Sequence, residues 1–283
     1  MSTNVTTGQE EPEKYLHGHH HSVVTAHSAR NASETAAFVL QQLSSPMRLL
    51  DFGCGPGTVT IDLAEHLLPA GSAVGIDLSE NVIELARSTA AKRQVSNVSF
   101  EVNNIYATGY DKRSFDVVYA HQVLQHLSDP VKALTEAHRV LIPGGICAVR
   151  EVDWGTNALW PPDRQLVRFF EIYNAVAERN GGNVNAGRSL KKWFVEAGFT
   201  NIAVTTSTWS FSDDAGLKWW GKQWSERILN SDIATQAVEY GIASENELAK
   251  ISRAWLDWTE TPGAFFAFIQ VEVIGETSKP AFL

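Results

Sequence analysis

The run LLDFGCGPGTVT, residues 49–60, joins an apolar stretch, an aspartate and three glycines spaced G-x-G-x-G. Glycines 53, 55 and 57 can take up positive φ and, lacking Cβ, let a ligand approach the backbone closely. A helix starting just after them presents unpaired N–H groups to the same ligand. A dinucleotide fingerprint reads G-x-G-x-x-G and needs glycine at 58, where Thr58 stands. Less room for a pyrophosphate, with Asp51 two residues ahead of Gly53, suits a ligand that carries an ammonium group. Asp77 ends VGID about 20 residues further on, where a strand-end carboxylate can accept both hydroxyls of a ribose. Alone, each feature reads as an ordinary turn; in succession at this spacing they describe a nucleoside site.

The elements that must hold these residues alternate. MRLLD (47–51), AVGID (73–77), VSFEV (98–102), FDVVYAH (115–121) and ICAVREVDW (146–154) read as strands. Between them lie helical periods. One runs from Ser33 as N-cap to Pro46, with Ala36, Ala37, Val39, Leu40 and Leu43 on one face; another starts at Asp129 with Pro130 in its first turn and stops before Pro143-Gly144-Gly145. Near-continuous apolar strands in βα alternation predict an α/β fold, a parallel sheet with helices on both faces. All nine tryptophans fall between Trp154 and Trp258. There, helical stretches at about 161–180, 188–197 and 213–258 interrupt two strands, NIAVTTSTWSF and FFAFIQVEVIGE. With no linker or repeat, 1–283 reads as a single domain: a tail over 1–30, a ligand-binding half over 47–154 and a covering half over 155–275.

Composition narrows the partners. The 283 residues carry 23 Lys+Arg against 32 Asp+Glu, a formal charge of −9, which argues against nucleic acid. At 44% hydrophobic and 10% aromatic the chain can fill a core, which excludes wholesale disorder. Cys54 and Cys147 cannot form a disulfide framework, the first residues hold no apolar signal core, and no run of 18 apolar residues follows. The expectation is a soluble cytoplasmic protein with no membrane or protein partner.

The series DFGCGPGT, GIDLS, FEVNNIYA, FDVVYAHQVLQHLSDP, RVLIPGG and AGF, in this order over roughly residues 47–202, resembles the class I S-adenosylmethionine-dependent methyltransferases of the ubiquinone/menaquinone-biosynthesis type. The N-terminal YLHGHHHSVVTAHSARNA and the tryptophan-rich insertions are similar to a fungal secondary-metabolism branch, whose best-defined type methylates the reduced dithiol of gliotoxin-like dioxopiperazines. The resemblance implies a Rossmann-like, seven-stranded, mostly parallel sheet with the last strand antiparallel beside the sixth, and helical insertions covering the pocket. It implies S-adenosylmethionine as cofactor, held by Gly53, Gly55 and Asp51 at the methionine portion, Asp77 at the ribose, and Leu78 and Asn104 at adenine. Cys54, Ile105 and Ala120 lie beside them in that reading. His121 would neighbour the transferable methyl, and Tyr15 with His20 or His21 would belong to a lid. Asn104 departs from the aspartate usual there, though an amide oxygen still accepts.

Plainer readings stand beside these. His17, His19, His20 and His21 are adjacent loop histidines that alternate direction, so they read as solvated or lid residues and no metal site is expected. Cys54 is a small turn residue with no His and acidic partners, and His126 reads as structural. Trp219, Trp220 and Trp224 stand at helical spacing and serve core or pocket; about half of the tryptophans, these three and Trp154 among them, are assigned to a planar acceptor. The expected chemistry is in-line methyl transfer to a small apolar molecule, by proximity more than by acid or base. A thiol ionises near pH 8.5 and needs no strong base. O- or C-methylation of a phenol or quinol would recruit His121, Glu151 or Asp153, though Glu151 and Asp153 read equally as charges at a loop mouth. A cofactor-binding protein that transfers no methyl is the alternative from another class, and a nicotinamide oxidoreductase is disfavoured by the glycine spacing.

Overall fold

The computed structural model describes Leu16 and residues 27–279. Its strands are β1 (Arg48–Phe52), β2 (Ser72–Asp77), β3 (Val98–Val102), β4 (Phe115–His121), β5 (Leu141–Trp160), β6 (Thr200–Phe211) and β7 (Phe265–Glu276). They form one sheet in the order β3-β2-β1-β4-β5-β7-β6. β1 to β5 are parallel, and β7 inserts antiparallel between β5 and β6. This is the Rossmann-like sheet expected, with its last strand beside the sixth.

Helices α1 (Ala32–Thr35) and α2 (Ala37–Leu40) precede the sheet; α3 (Thr58–His66), α4 (Glu80–Arg93) and α5 (Pro130–Val140) connect its parallel strands. Asp129 caps α5 by accepting the Lys132 N–H at 2.9 Å, with Pro130 in the first turn where its missing N–H costs nothing. The helix expected with Ser33 as its cap starts two residues earlier and is broken. Asn31 is the cap, accepting the Glu34 N–H, and Asp62 takes the Ala32 N–H at 2.8 Å; Ala36 then leaves helical geometry at φ −124°. The second half adds α6 (Arg164–Arg179), α7 (Ala186–Glu196), α8 (Asp214–Asn230), α9 (Asp232–Glu239) and α10 (Glu245–Thr259).

β5 runs to Trp160, beyond the Trp154 expected, because β7 continues to pair with it: past an irregularity between Asp153 and Ala158, Trp160 stands opposite Phe265. β5 and β7 thereby cross two cores. Cys147, Val149 and Val273 pack with β1 and β4 residues, whereas Val152, Trp154, Phe266 and Phe268 pack under α6, α8 and α10. Among the described residues, no helix is long and apolar enough to cross a membrane.

Candidate functional site

β1 leads into the glycine turn. The Cys54 N–H donates to the Ile76 carbonyl at 3.0 Å, locking the turn to β2, and α3 starts directly after Gly57. Gly53, Gly55 and Gly57 all have positive φ, at 67°, 54° and 78°. Their surroundings differ. A Cβ on Gly53 would meet Val123 at 2.6 Å and one on Gly57 would meet Phe100 and Ala86 at 2.7 Å, but in front of Gly55 there is nothing within 4 Å. Gly53 and Gly57 therefore serve close packing, and Gly55 faces open space at the mouth of the turn.

The residues read as binding a nucleoside border this space. Asp77, at the end of β2, accepts the Gly55 N–H at 3.2 Å and the Ser79 N–H at 3.0 Å, so its carboxylate is fixed before any ligand arrives. Leu78 beside it is 60% exposed, an apolar surface. Asn104 Oδ1 accepts the Tyr106 N–H at 2.9 Å, which leaves one lone pair for another donor; Ile105 is buried next to it. Ala120 is buried in β4. Asp51 lies beneath the turn, accepting the Thr60 hydroxyl at 2.6 Å. Burial, outweighing that bond, and the nearby Asp77 carboxylate push Asp51 up to about 7. Burial also raises the Cys54 thiol, keeping it protonated and unreactive. A nucleoside bearing an amino-acid group fits these donors, acceptors and surfaces. Tyr15, His17, His19, His20 and His21 lie outside the described residues.

Beyond the end of β4, one face of the sheet opens into a cavity of about 470 Å³. Side chains alternate across a strand, so Arg150, Val152 and Trp154 of β5 share this face with Ser207, Trp209 and Phe211 of β6 and Phe268 of β7. Tyr173 of α6 and Trp219, Trp220, Gln223, Trp224 and Arg227 of α8 close it from above, and Arg30 and Glu34 form part of its rim. Trp154, Trp219, Trp220 and Trp224, read as pocket residues, meet here. Trp209 joins them, which sequence reasoning missed. Trp255 and Trp258 are buried in the core beneath, and Trp160 is on the surface.

His121, at the last position of β4, stands opposite Arg150 of β5 and edge-on to Trp209 at 6.2 Å. Both of its ring nitrogens are buried with no hydrogen-bond partner among the described residues. Burial first, then the Arg30 and Arg150 charges, hold it well below the usual histidine range, so it is a neutral imidazole at pH 7. The next residue, Gln122, takes φ 54° and accepts a 2.6 Å bond from Arg30 Nη2, joining the rim of the cavity to the end of β4. His126 lines the cavity wall, with burial lowering it to about 3.

Two candidate bases face the other way. Glu151 Oε1 accepts the Val123 and Leu124 N–H groups at 2.7 and 2.6 Å, holding the turn after β4; burial pushes it to about 8. Asp153 is paired with Arg188 through two bonds of 2.7 and 2.6 Å. The period of two on β5 puts both on the face away from the cavity, which corrects their reading as acceptor-side bases. The same parity is the signal that would have found Arg150. Among the described residues, no group of three or more His, Cys, Asp or Glu side chains could hold a metal.

Known proteins share this architecture. A family described as a methyltransferase domain matches residues 43–198. An uncharacterized methyltransferase of Schizosaccharomyces pombe is 31% identical over 262 residues, 89% of this chain and 92% of that protein. The demethylmenaquinone methyltransferase of Lactococcus lactis is 38% identical over 127 residues, 45% of this chain and 48% of that enzyme. Among solved structures, the YcgJ protein of Bacillus subtilis superimposes with a TM-score of 0.60 at 17% identity, covering 87% of this chain and 99% of that one.

Proposed function

Because the chain belongs to the methyltransferase-domain family, whose methyl donor is S-adenosylmethionine, we propose that it transfers that methyl group to a small, largely apolar acceptor held in the tryptophan-lined cavity. One observation carries this reading: Gln122, one residue beyond His121, lines the aromatic cavity, and the next residue, Val123, packs against Gly53 of the glycine turn. Bound in the turn, the cofactor supplies a methyl carbon on a positively charged sulfur.

The chain's own residues orient the two partners. Asp77 would take the ribose hydroxyls, Leu78, Asn104 and Ile105 the adenine, and Gly53, Cys54 and Gly55 the methionine backbone, with Ala120 and His121 flanking the reacting end. The buried Asp51 would face the ammonium group. Tyr15 and His20 would complete the site from the N-terminal segment. The walls formed by Trp154, Trp219, Trp220 and Trp224 would stack on a planar acceptor, exclude water, and bring its nucleophile to about 3 Å from the methyl carbon.

The neutral His121 favours an acceptor that ionises by itself. Two guanidinium groups oppose its protonation, so it is a poor base for a phenol or a carbon acid. A thiol needs no such base. Our first choice is therefore S-methylation, with the dithiol of a reduced gliotoxin-like dioxopiperazine as substrate class, ahead of O- or C-methylation of a phenol or quinol. The bond to the acceptor sulfur forms as the donor carbon–sulfur bond breaks, and the thiol proton has already gone to solvent. Both cysteines are free, as in a reducing compartment, and support a cytoplasmic site of action.

The test is mass spectrometry with methyl-deuterated S-adenosylmethionine and a panel of a reduced dithiol dioxopiperazine, an aryl thiol, a polyphenol and a quinol. Label on the dithiol is the expected result, with two labels when both sulfurs react. Label confined to oxygen or carbon overturns the thiol assignment and keeps the transferase. Cofactor binding without label on any member turns the reading toward a protein that binds S-adenosylmethionine without transferring methyl.

A further inference from the structure

The cavity is aromatic but not neutral. Arg30, Arg150 and Arg227 line it, against one carboxylate among the described lining residues, Glu34. Arg150 is the most informative, because its side chain is fully buried in the sheet. A buried guanidinium is costly unless its nitrogens are satisfied. Nε and Nη2 are: Ser207 Oγ lies 3.0 Å from Nη2, and Glu272 Oε1 lies 3.3 Å from Nε. Glu272 is itself shared, accepting the Ser207 and Thr205 hydroxyls at 2.6 and 2.9 Å. Nη1 is buried with no acceptor among the described residues. The guanidinium carbon lies 5.1 Å from the Trp209 ring centre, so the group forms part of the aromatic wall, and it stands one strand from His121.

A fixed, incompletely satisfied guanidinium beside an aromatic face suits a flat anion: the ring stacks, and the charge meets the vacant nitrogen. We propose that the cavity binds its acceptor as an aromatic or otherwise planar monoanion, with Arg150 as the residue that selects the charge. This deepens the methyl-transfer reading and rests on it for the word acceptor, but the anion preference is measurable without catalysis. Arg30 is bonded to Gln122 and Arg227 lies 5.1 Å from the Trp224 ring centre, so both add positive potential from the walls.

The experiment is calorimetry on the full chain saturated with S-adenosylhomocysteine. The probes are 2-naphthoate, 2-naphthalenethiolate at pH 8, and the neutral 2-acetylnaphthalene, which is similar in shape. The expected result is at least tenfold tighter binding of an anion than of the neutral probe. Arg150→Met should reduce that preference below threefold while leaving affinity for the neutral probe and for S-adenosylhomocysteine within twofold. Preference for both anions means that the cavity reads charge wherever it is carried. Preference for the thiolate alone means that the anion is the methyl-accepting atom itself. Equal binding of all three probes to the unmodified protein overturns the proposal, as does a preference that survives Arg150→Met. Should Arg150→Met fail to fold because Glu272 is left unpaired, the double variant Arg150→Met/Glu272→Gln makes the same comparison. Failure of methyl transfer on every acceptor, with the anion preference intact, would remove the transferase reading and leave this one standing.

Discussion

Asp51 is a buried carboxyl, and its displaced titration makes it a probe of the ligand. Burial raises it to about 7 from an ordinary value near 3.8, so the free protein binds a proton there through much of the mildly acidic range. A raised carboxyl favours the folded state below its unfolded value, and that contribution is lost as pH rises from about 4 to 7. An ammonium group placed against Asp51 would restore its charge and expel the proton. Affinity for S-adenosylhomocysteine should therefore rise between pH 5.5 and 7, before the ligand's own amine begins to deprotonate near 7.7–8.0. Calorimetry in buffers of different ionisation enthalpy should detect proton release on binding, and Asp51→Asn should abolish it. An affinity independent of pH across this range, with no proton released, would remove Asp51 from the site. The glycines carry a second residue-scale contrast. Gly57→Ala should destabilise the fold by more than the roughly 1–2 kcal/mol cost of left-handed backbone, because its Cβ would meet Phe100 at 2.7 Å. Gly55→Ala carries the backbone cost alone, since its Cβ points into open space, yet should lower cofactor affinity. Thermal melts and binding isotherms on the two variants separate packing from recognition; equal losses of affinity at equal stability would contradict the division.

At the scale of elements, all three α8 tryptophans line the cavity, but Trp220 and Trp224 are buried in the core as well and Trp219 is exposed. Trp220 is buried, with its ring centre 4.3 Å from that of Phe211 and further contacts to Trp154, Phe266 and Phe268, so truncating it would disturb both cavity and core. Trp219 lines the same cavity but is 42% exposed, which makes it the cleaner test. Trp219→Ala should weaken binding of an aromatic acceptor several-fold with a small change in melting temperature. Trp255→Ala, in the core away from the cavity, should cost about 3–5 kcal/mol and leave acceptor affinity per folded molecule unchanged. A Trp219→Ala variant that loses only stability would make that indole structural. The same helix shows what the sequence could and could not disclose. The glycine turn, Asp77 and the βα alternation were legible because each depends on local spacing. Their chemistry lies within a few residues of the strand end that displays it. Trp154, Trp219, Trp220 and Trp224 were legible as a cluster by type, but their meeting with Trp209, Arg150 and Arg30 was not. That convergence is set by antiparallel pairing across β5, β7 and β6, where Arg150 and Glu272 are neighbours at a separation of 122 residues. Glu151 and Asp153 were offered as bases from their place at the end of the fifth strand, and the parity of that strand, which turns them away from the cavity, was not counted.

For the whole molecule, the decisive feature is that the core behind the glycine turn and the core under the aromatic cavity share β5 and β7. β5 starts in the core behind the glycine turn, with Cys147 and Val149, and ends in the core under α8, with Val152 and Trp154; β7 returns along the same path from Phe266 to Val273. Separating the halves would require breaking both strands in mid-course, with their hydrogen-bond ladders and the Arg150–Glu272–Ser207 bonds that cross them. Cooperativity should follow. Scanning calorimetry of the free protein should show one transition, and S-adenosylhomocysteine at about 100 times its Kd should raise global stability by about 2.7 kcal/mol, since a ligand of the folded state alone shifts the equilibrium by mass action. That increment should move tryptophan fluorescence, which reports the second half, and far-ultraviolet dichroism, which reports the entire sheet, by the same few degrees. Two transitions, with the ligand shifting only one, would mean that residues 155–275 form an independent unit. The cavity would then be free to open without loosening the cofactor. Coincident melting instead ties acceptor binding to an already ordered cofactor site, and predicts that the anionic naphthalene probes bind more tightly after S-adenosylhomocysteine than before it.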